Sequence, residues 1–469
     1  MKELAEIIEQ FASSLHELNV NANVNDLIRD GVPGALLCLC NQPSVAKTLF
    51  LLTTNNELRS HLIENNGIQL LSSAMGDGVE HSRNTTVVSF IAKAIVNLVS
   101  DQNANLPARL PDIILDLLQV DCLEFVKECL SYLVGILANI CRESKAKGAK
   151  VSKELPPLHG FDFNVDSIIA LSSLIANSAN GSVHLSSAYL QSGLIEKLLS
   201  RGIEMIQPSF DMNESVKKAA INLLIMLSNL PNSRQNASLV ESHQDIVTFV
   251  KKILIISDDL EILERACKAC QSICFYTNSA RRAFGEEAFL GLMDIALRMG
   301  LHDETDIDRH ESQVAIEACK ALCSIVVDPM MKEKICSHVD DVESFLQLIL
   351  ETESTSVLQY SSMMASLLLP SLDEKKEMLV EGRTSIVENK GIKDVIERVI
   401  DECFYHDYNE MPHWLSLAKD VIELTLESGV RDAEKTKGSK LRSEEYEKCM
   451  DTLFNQQDLY ESVTVKLVE

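Results

Sequence analysis

Glycine and proline are scarce, at 18 and 11 in 469 residues. A sandwich or barrel needs a turn signal every 8 to 12 residues or so, and too few such residues are present to supply them. Basic side chains are also in deficit, with 43 Lys and Arg against 69 Asp and Glu, a net charge of −26. A pI near 4.9 argues against a general binder of nucleic acid, because affinity for the phosphate backbone comes mostly from Lys and Arg. Tryptophan occurs once, at Trp414. Long uncharged stretches are missing too. The run from Ala219 to Leu230 stops at Pro231, short of the roughly 18 apolar residues that a membrane span requires. The opening residues, MKELAEIIEQFASSLHEL, carry charge every few positions. They read as an amphipathic helix, not as a signal peptide with an apolar centre and a cleavage site.

What is present is apolar and helical. Hydrophobic residues make up 46% of the chain, enough for a large core and too many for intrinsic disorder. Thirteen cysteines are scattered through apolar helical segments. An odd, dispersed set is unlike a secreted disulfide framework, so the chain is expected to be cytoplasmic. Cys267, Cys270 and Cys274 share one helix face. With no second pair or nearby His to complete a tetrahedral site, they read as small buried hydrophobes.

Internal repetition sets the fold. A Gly followed by a branched aliphatic and a short apolar helix recurs at Gly31, Gly67, Gly193 and Gly391. LPDIILDLL from Leu110, DIVTFVKKI from Asp245 and DVESFLQLI from Asp341 fill the same slot between them. A longer amphipathic helix follows each short one. In TTVVSFIAKAIVNLVS, for instance, Val87, Ile91, Ala94, Ile95 and Leu98 form one stripe. The spacing from Gly67 to Gly193 is 126 residues and from Gly193 to Gly391 is 198, three and five units of about 40. A period near 40 without strand-like alternation points to an α-solenoid, in which each unit buries its apolar face only by stacking on its neighbours.

The expected architecture is all-α, a right-handed solenoid of roughly nine repeats over residues 1–429, with a charged cap or tail over 430–469. Two segments break the register. The stretch 143–160 (ESKAKGAKVSKELPPLHG) is rich in Lys, Gly and Pro and reads as an exposed, flexible loop. The stretch 300–312 reads as a polar insert, whose Asp303, Glu304, Asp306 and Asp308 lack the Gly and terminal Glu of a calcium loop.

The long helices carry an amide ladder. Asn97, Asn139, Asn177 and Asn229 take matching positions at intervals of 42, 38 and 52 residues. A side-chain amide both donates and accepts, so such a row suits the backbone of an extended partner segment. The alternative is that these amides cap helices or bond to an adjacent repeat. The pattern resembles the armadillo family, where an Asn near the end of each third helix lines the concave groove. That resemblance implies partner binding at Asn97, Asn139, Asn177 and Asn229. The family's nuclear-import adaptors pair each groove Asn with a Trp one turn earlier. Here that place holds Lys93, Gly135, Ser173 and Ile225, and downstream units swap Asn for Ser272 and Ser324. An import receptor is therefore disfavoured, and Lys93 joins the candidate partner-binding residues.

The acidic balance, the single Trp, the scattered Cys and the run QYSSMMASLLL from Gln359 are similar to the armadillo-only stimulators of GDP dissociation from small GTPases (the GDS family). This resemblance implies an acidic groove that attracts a GTPase with a basic tail and promotes nucleotide exchange. Enzymatic signatures are missing: the sequence has no Gly-rich phosphate loop, no G-x-S-x-G and no H-E-x-x-H. Cys403, His406, Asp407, Glu410 and His413 form the densest titratable group. Their irregular spacing and Pro412 mark an inter-helix turn. No catalytic residue, metal or cofactor is expected. The sequence reads as a non-enzymatic scaffold for another protein with a basic region, with a GDS-like exchange factor and an acidic adaptor for basic peptides as alternatives.

Overall fold

A computed structural model describes residues 24–81, 85–100, 106–119, 123–156, 158, 162–206, 213–300 and 308–335, with isolated positions between 348 and 364. The repeat at Gly391, Trp414, the cluster from Cys403 to His413 and the expected boundary at 429/430 lie outside these residues. Among the described residues the chain forms nineteen helices and no strand. They fall into two compact units, one ending at Asn232 and the other beginning at Ser233.

In the first unit the helices are α1 (Val24–Arg29), α2 (Val32–Cys38), α3 (Pro43–Leu52), α4 (Asn56–Glu64), α5 (Gly67–His81), α6 (Thr85–Val99) and α7 (Leu110–Leu118). They continue as α8 (Leu123–Glu143), α9 (Lys145–Glu154), α10 (Val165–Ala179), α11 (Val183–Gln191), α12 (Leu194–Met205) and α13 (Glu214–Asn229). The clearest repeats have three helices: α4, α5 and α6, then α11, α12 and α13. The recurring Gly makes the corner between the first and second helix. Gly31 and Gly193 both sit at φ 72, just ahead of α2 and α12, a left-handed conformation that costs an L side chain energy. At the second corner in chain order, ahead of α5, Asn66 takes the positive φ instead. Gly67 is required there for space, since a Cβ would lie 2.6 Å from the Leu62 carbonyl oxygen.

The third helices form the spine of this unit. α3 packs on α6, α6 on α8, α8 on α10, and α10 on α13. Val87, Val88, Ile91, Ala92, Ala94, Ile95, Leu98 and Val99 are all buried on α6, so the helix is closed in on most of its circumference. Caps define the starts: the Asn55, Asn164 and Asn213 side chains accept backbone N–H bonds at the heads of α4, α10 and α13, which contributes about 1 kcal/mol each.

The segment expected to be a flexible loop over 143–160 instead contains helix α9. Ser144 caps it by accepting from the Lys147 N–H, Val151 is fully buried, and Ser152 shares a 2.6 Å hydrogen bond with the buried Tyr189 hydroxyl. α9 packs against α7, α8 and α10. Lysine and glycine composition concealed a helix held by tertiary contacts. Lys150 and Lys153 are exposed on it, and Lys150 pairs with Asp112.

The second unit contains α14 (Arg234–Ser242), α15 (Gln244–Ile256), α16 (Leu260–Cys274), α17 (Asn278–Gly300), α18 (Asp308–Val326) and α19 (Pro329–Ile335). Gly285, at φ 68, breaks α17 into a first and a second helix, so the same triplet is present with its corner compressed. α16 packs on α18. Cys267, Cys270 and Cys274 are all 0% exposed, as expected of small apolar packing residues. The expected polar insert at 300–312 is already helical from Asp308, and residues 301–307 lie outside the described set.

Candidate functional site

Each third helix of the first unit leaves one strip incompletely covered. On α6 it consists of Phe90, Lys93 and Asn97, spaced three and four apart and so on one face. The equivalent strip is Tyr132, Gly135 and Asn139 on α8, Ser173 and Asn177 on α10, and Ile225 and Asn229 on α13. All of these are half-buried. Stacking the helices places the strips side by side, and the four amides expected from the sequence share one face.

The amides run between repeats. Asn177 donates through Nδ2 to the Ala138 carbonyl at 2.9 Å, and Asn229 donates to the Ala176 carbonyl at 3.1 Å. Each thus reaches the residue just before the preceding ladder Asn. Asn97 donates to Thr53 Oγ1 at 3.0 Å, while Asn139 makes no side-chain hydrogen bond among the described residues. An amide carries two donors and a two-lone-pair acceptor, so one committed N–H leaves further capacity at each rung.

The difference between rungs has a measurable consequence. Asn177→Ala removes an inter-helix hydrogen bond and is expected to cost about 1 kcal/mol. Asn139→Ala should stay within about 0.5 kcal/mol of wild type. Urea unfolding followed by circular dichroism reads both, and equal losses would contradict this assignment of the bonds.

Lys93 has an unusual setting. Its Nζ lies 4.9 Å from the ring centroid of Tyr132, 5.1 Å from that of Phe90 and 5.9 Å from that of Phe50. Phe50 and Phe90 stack at 6.3 Å with 30° between their planes. The three rings come from α3, α6 and α8. The sequence reading reached Lys93 and missed the rings, although Phe50, Phe90 and Tyr132 recur at 40 and 42 residues, the same period as the amides.

The corresponding face of the second unit is charged. Lys268 on α16 bonds Glu264, and His310 Nε2 lies 3.4 Å from Glu264. On α18, Gln313 and Lys320 both donate to Glu317 Oε1 at 3.0 Å, and Lys320 Nζ is 4.8 Å from the Tyr360 ring. Burial would raise the Glu264 pKa. The Lys268 hydrogen bond and charge, with help from Arg265 and His310, outweigh it and hold the carboxyl below its usual range. Ser272 and Ser324 are half-buried four residues beyond Lys268 and Lys320. Lysine therefore recurs at the Lys93 position of the repeat. Among the described residues no group of three or more His, Cys, Asp or Glu is placed to hold a metal, and no helix is long and apolar enough to cross a membrane.

No family model and no curated protein matches the sequence. Solved structures do match in shape. An engineered protein from the Northeast Structural Genomics Consortium aligns over 91% of this chain and 98% of its own at 17% identity, with a TM-score of 0.60. A chain from work on a phosphorylation switch in the interaction between cadherin and β-catenin aligns over 88% of this chain and 78% of its own, at 13% identity and a TM-score of 0.58. The fold is armadillo-like. A designed armadillo repeat protein also aligns, over 55% of this chain and 99% of its own, at 15% identity with a TM-score of 0.42. In armadillo-like terms the strip of amides and rings lies on the third helices, and α9 is an extra packed helix at the place read as a loop.

Proposed function

We propose that this chain is a non-enzymatic, cytoplasmic scaffold that binds a partner protein along the third-helix strip of its first unit. The observation that supports this is a strip of half-buried polar and aromatic side chains, continued across α6, α8, α10 and α13. Asn97, Asn139, Asn177 and Asn229 would meet the partner through the donor and acceptor capacity that the inter-repeat bonds leave over, and Lys93 marks the place on the same strip where a side chain of the partner would dock. The −26 charge favours a partner with a basic region, drawn in by long-range attraction.

The same charge supports a second reading, a GDS-like exchange factor for a small GTPase with a basic tail. Capture of a GTPase that is retained best when free of nucleotide would favour it over a plain scaffold or an adaptor for basic peptides.

Surface plasmon resonance with the captured partner tests the electrostatic part. The Debye length shrinks from about 30 Å at 0.01 M salt to about 8 Å at 0.15 M. The association rate is expected to fall steeply over that range while the dissociation rate changes little, as charges at the rim of an interface mainly set encounter. A flat association rate would assign the acidic surface to solubility alone.

A further inference from the structure

The ring cluster around Lys93 goes one step beyond the scaffold reading, on which it rests. Three aromatic side chains from three successive third helices converge on one ammonium group, at 4.9, 5.1 and 5.9 Å from their centroids. All three distances fall within the roughly 6 Å over which a ring quadrupole attracts a cation. Among the described residues no carboxylate forms an ion pair with Lys93, and the three rings are its charge-stabilising neighbours there. Attraction of this kind depends on charge and size more than on directed hydrogen bonds. It is general for Lys, Arg and alkylammonium groups. Phe50, Phe90, Tyr132 and Lys93 are all half-buried, so the cluster stands at the surface of the strip, beside Asn97 and Asn139. Lys93 enters it on a flexible four-carbon stem that can swing away.

We propose that Phe50, Phe90 and Tyr132 form a subsite for a cationic side chain of the partner, and that Lys93 is its resident internal occupant. In the free protein Lys93 fills the rings and keeps them from open water. On binding, a Lys or Arg of the partner's basic segment takes its place and Lys93 withdraws to solvent. The chain's excess of 69 acidic over 43 basic residues raises the local concentration of cations and so favours the exchange.

Isothermal titration with a capped octalysine peptide, against wild type, Lys93→Ala and Lys93→Met, tests the subsite. Both substitutions remove the same charge, but only alanine empties the rings. Lys93→Ala is expected to bind about five- to tenfold more tightly than Lys93→Met, and Tyr132→Leu added to Lys93→Ala should abolish that gain. Thermal melts by circular dichroism establish that each variant is folded. Equal affinity of the alanine and methionine variants would overturn the subsite while leaving the scaffold reading in place. Failure of octalysine to bind any form would overturn the basic-partner reading as well. Binding of octaglutamate that is lost in both variants would show that Lys93 itself meets an acidic partner, and would also overturn the exchange.

Discussion

Cys141 and Cys323 are expected to react with an alkylating reagent at pH 8 about a thousandfold more slowly than the exposed Cys38. The thiolate is the reactive form, and burial pushes both thiols up to about 12. At pH 8 only about one such thiol in ten thousand is ionised, against a substantial fraction of an ordinary cysteine with pKa near 8.5. Burial likewise raises Cys267, Cys270 and Cys319. Cys267 and Cys270 lie on α16 and Cys319 and Cys323 on α18, all of them buried. Raising the pH should speed labelling of Cys141 and Cys323, because their ionised fraction still has far to climb. Peptide-resolved mass spectrometry over a time course reads each site separately, and unfolding in guanidinium should bring the rates together. Rapid labelling of Cys141 or Cys323 in the native protein would mean that their helices open readily, and would contradict the packing role given to these residues.

The repeat pattern made the helix order legible from sequence. LPDIILDLL became the helix Leu110–Leu118 without adjustment, because the apolar period and a Pro in the first turn set the same start. The glycine corners were visible as well, although the left-handed residue at the second corner is Asn66, a role that asparagine fills second only to glycine. Helix α9 was hidden. Its ten residues include four Lys and one Gly, and what stabilises it lies elsewhere: the Tyr189 hydroxyl is 37 residues from Ser152. A local reading of propensity cannot reach contacts at that separation.

The site divides along the same line. Periodicity aligned Asn97, Asn139, Asn177 and Asn229, since register is a property of the repeat. The destination of each amide N–H is a property of the packed pair of helices. Asn177 meets a carbonyl 39 residues away and Asn229 one 53 residues away, while Asn139 has no such partner among the described residues. Lys93 drew notice because it replaced an expected Trp. Its rings went unnoticed because each belongs to a different repeat and only the stacking of α3, α6 and α8 brings them to one point.

We propose the third-helix strip of the first unit as the partner-binding face. The most direct measurement is quantitative affinity capture with wild type, Asn139→Arg and Ser200→Arg as baits. Asn139 stands in the middle of the strip without a side-chain hydrogen bond among the described residues, whereas Ser200 is exposed on the second helix α12. Both variants add one positive charge, and exposed or half-exposed sites of this kind usually shift stability by only about 0.5 kcal/mol. Ser200→Arg is expected to retain the proteins captured by wild type and Asn139→Arg to lose at least about nine-tenths of them, the effect of a loss of about 1.4 kcal/mol in binding. Equal capture by all three baits would place the binding face elsewhere and contradict a partner-binding role for the strip.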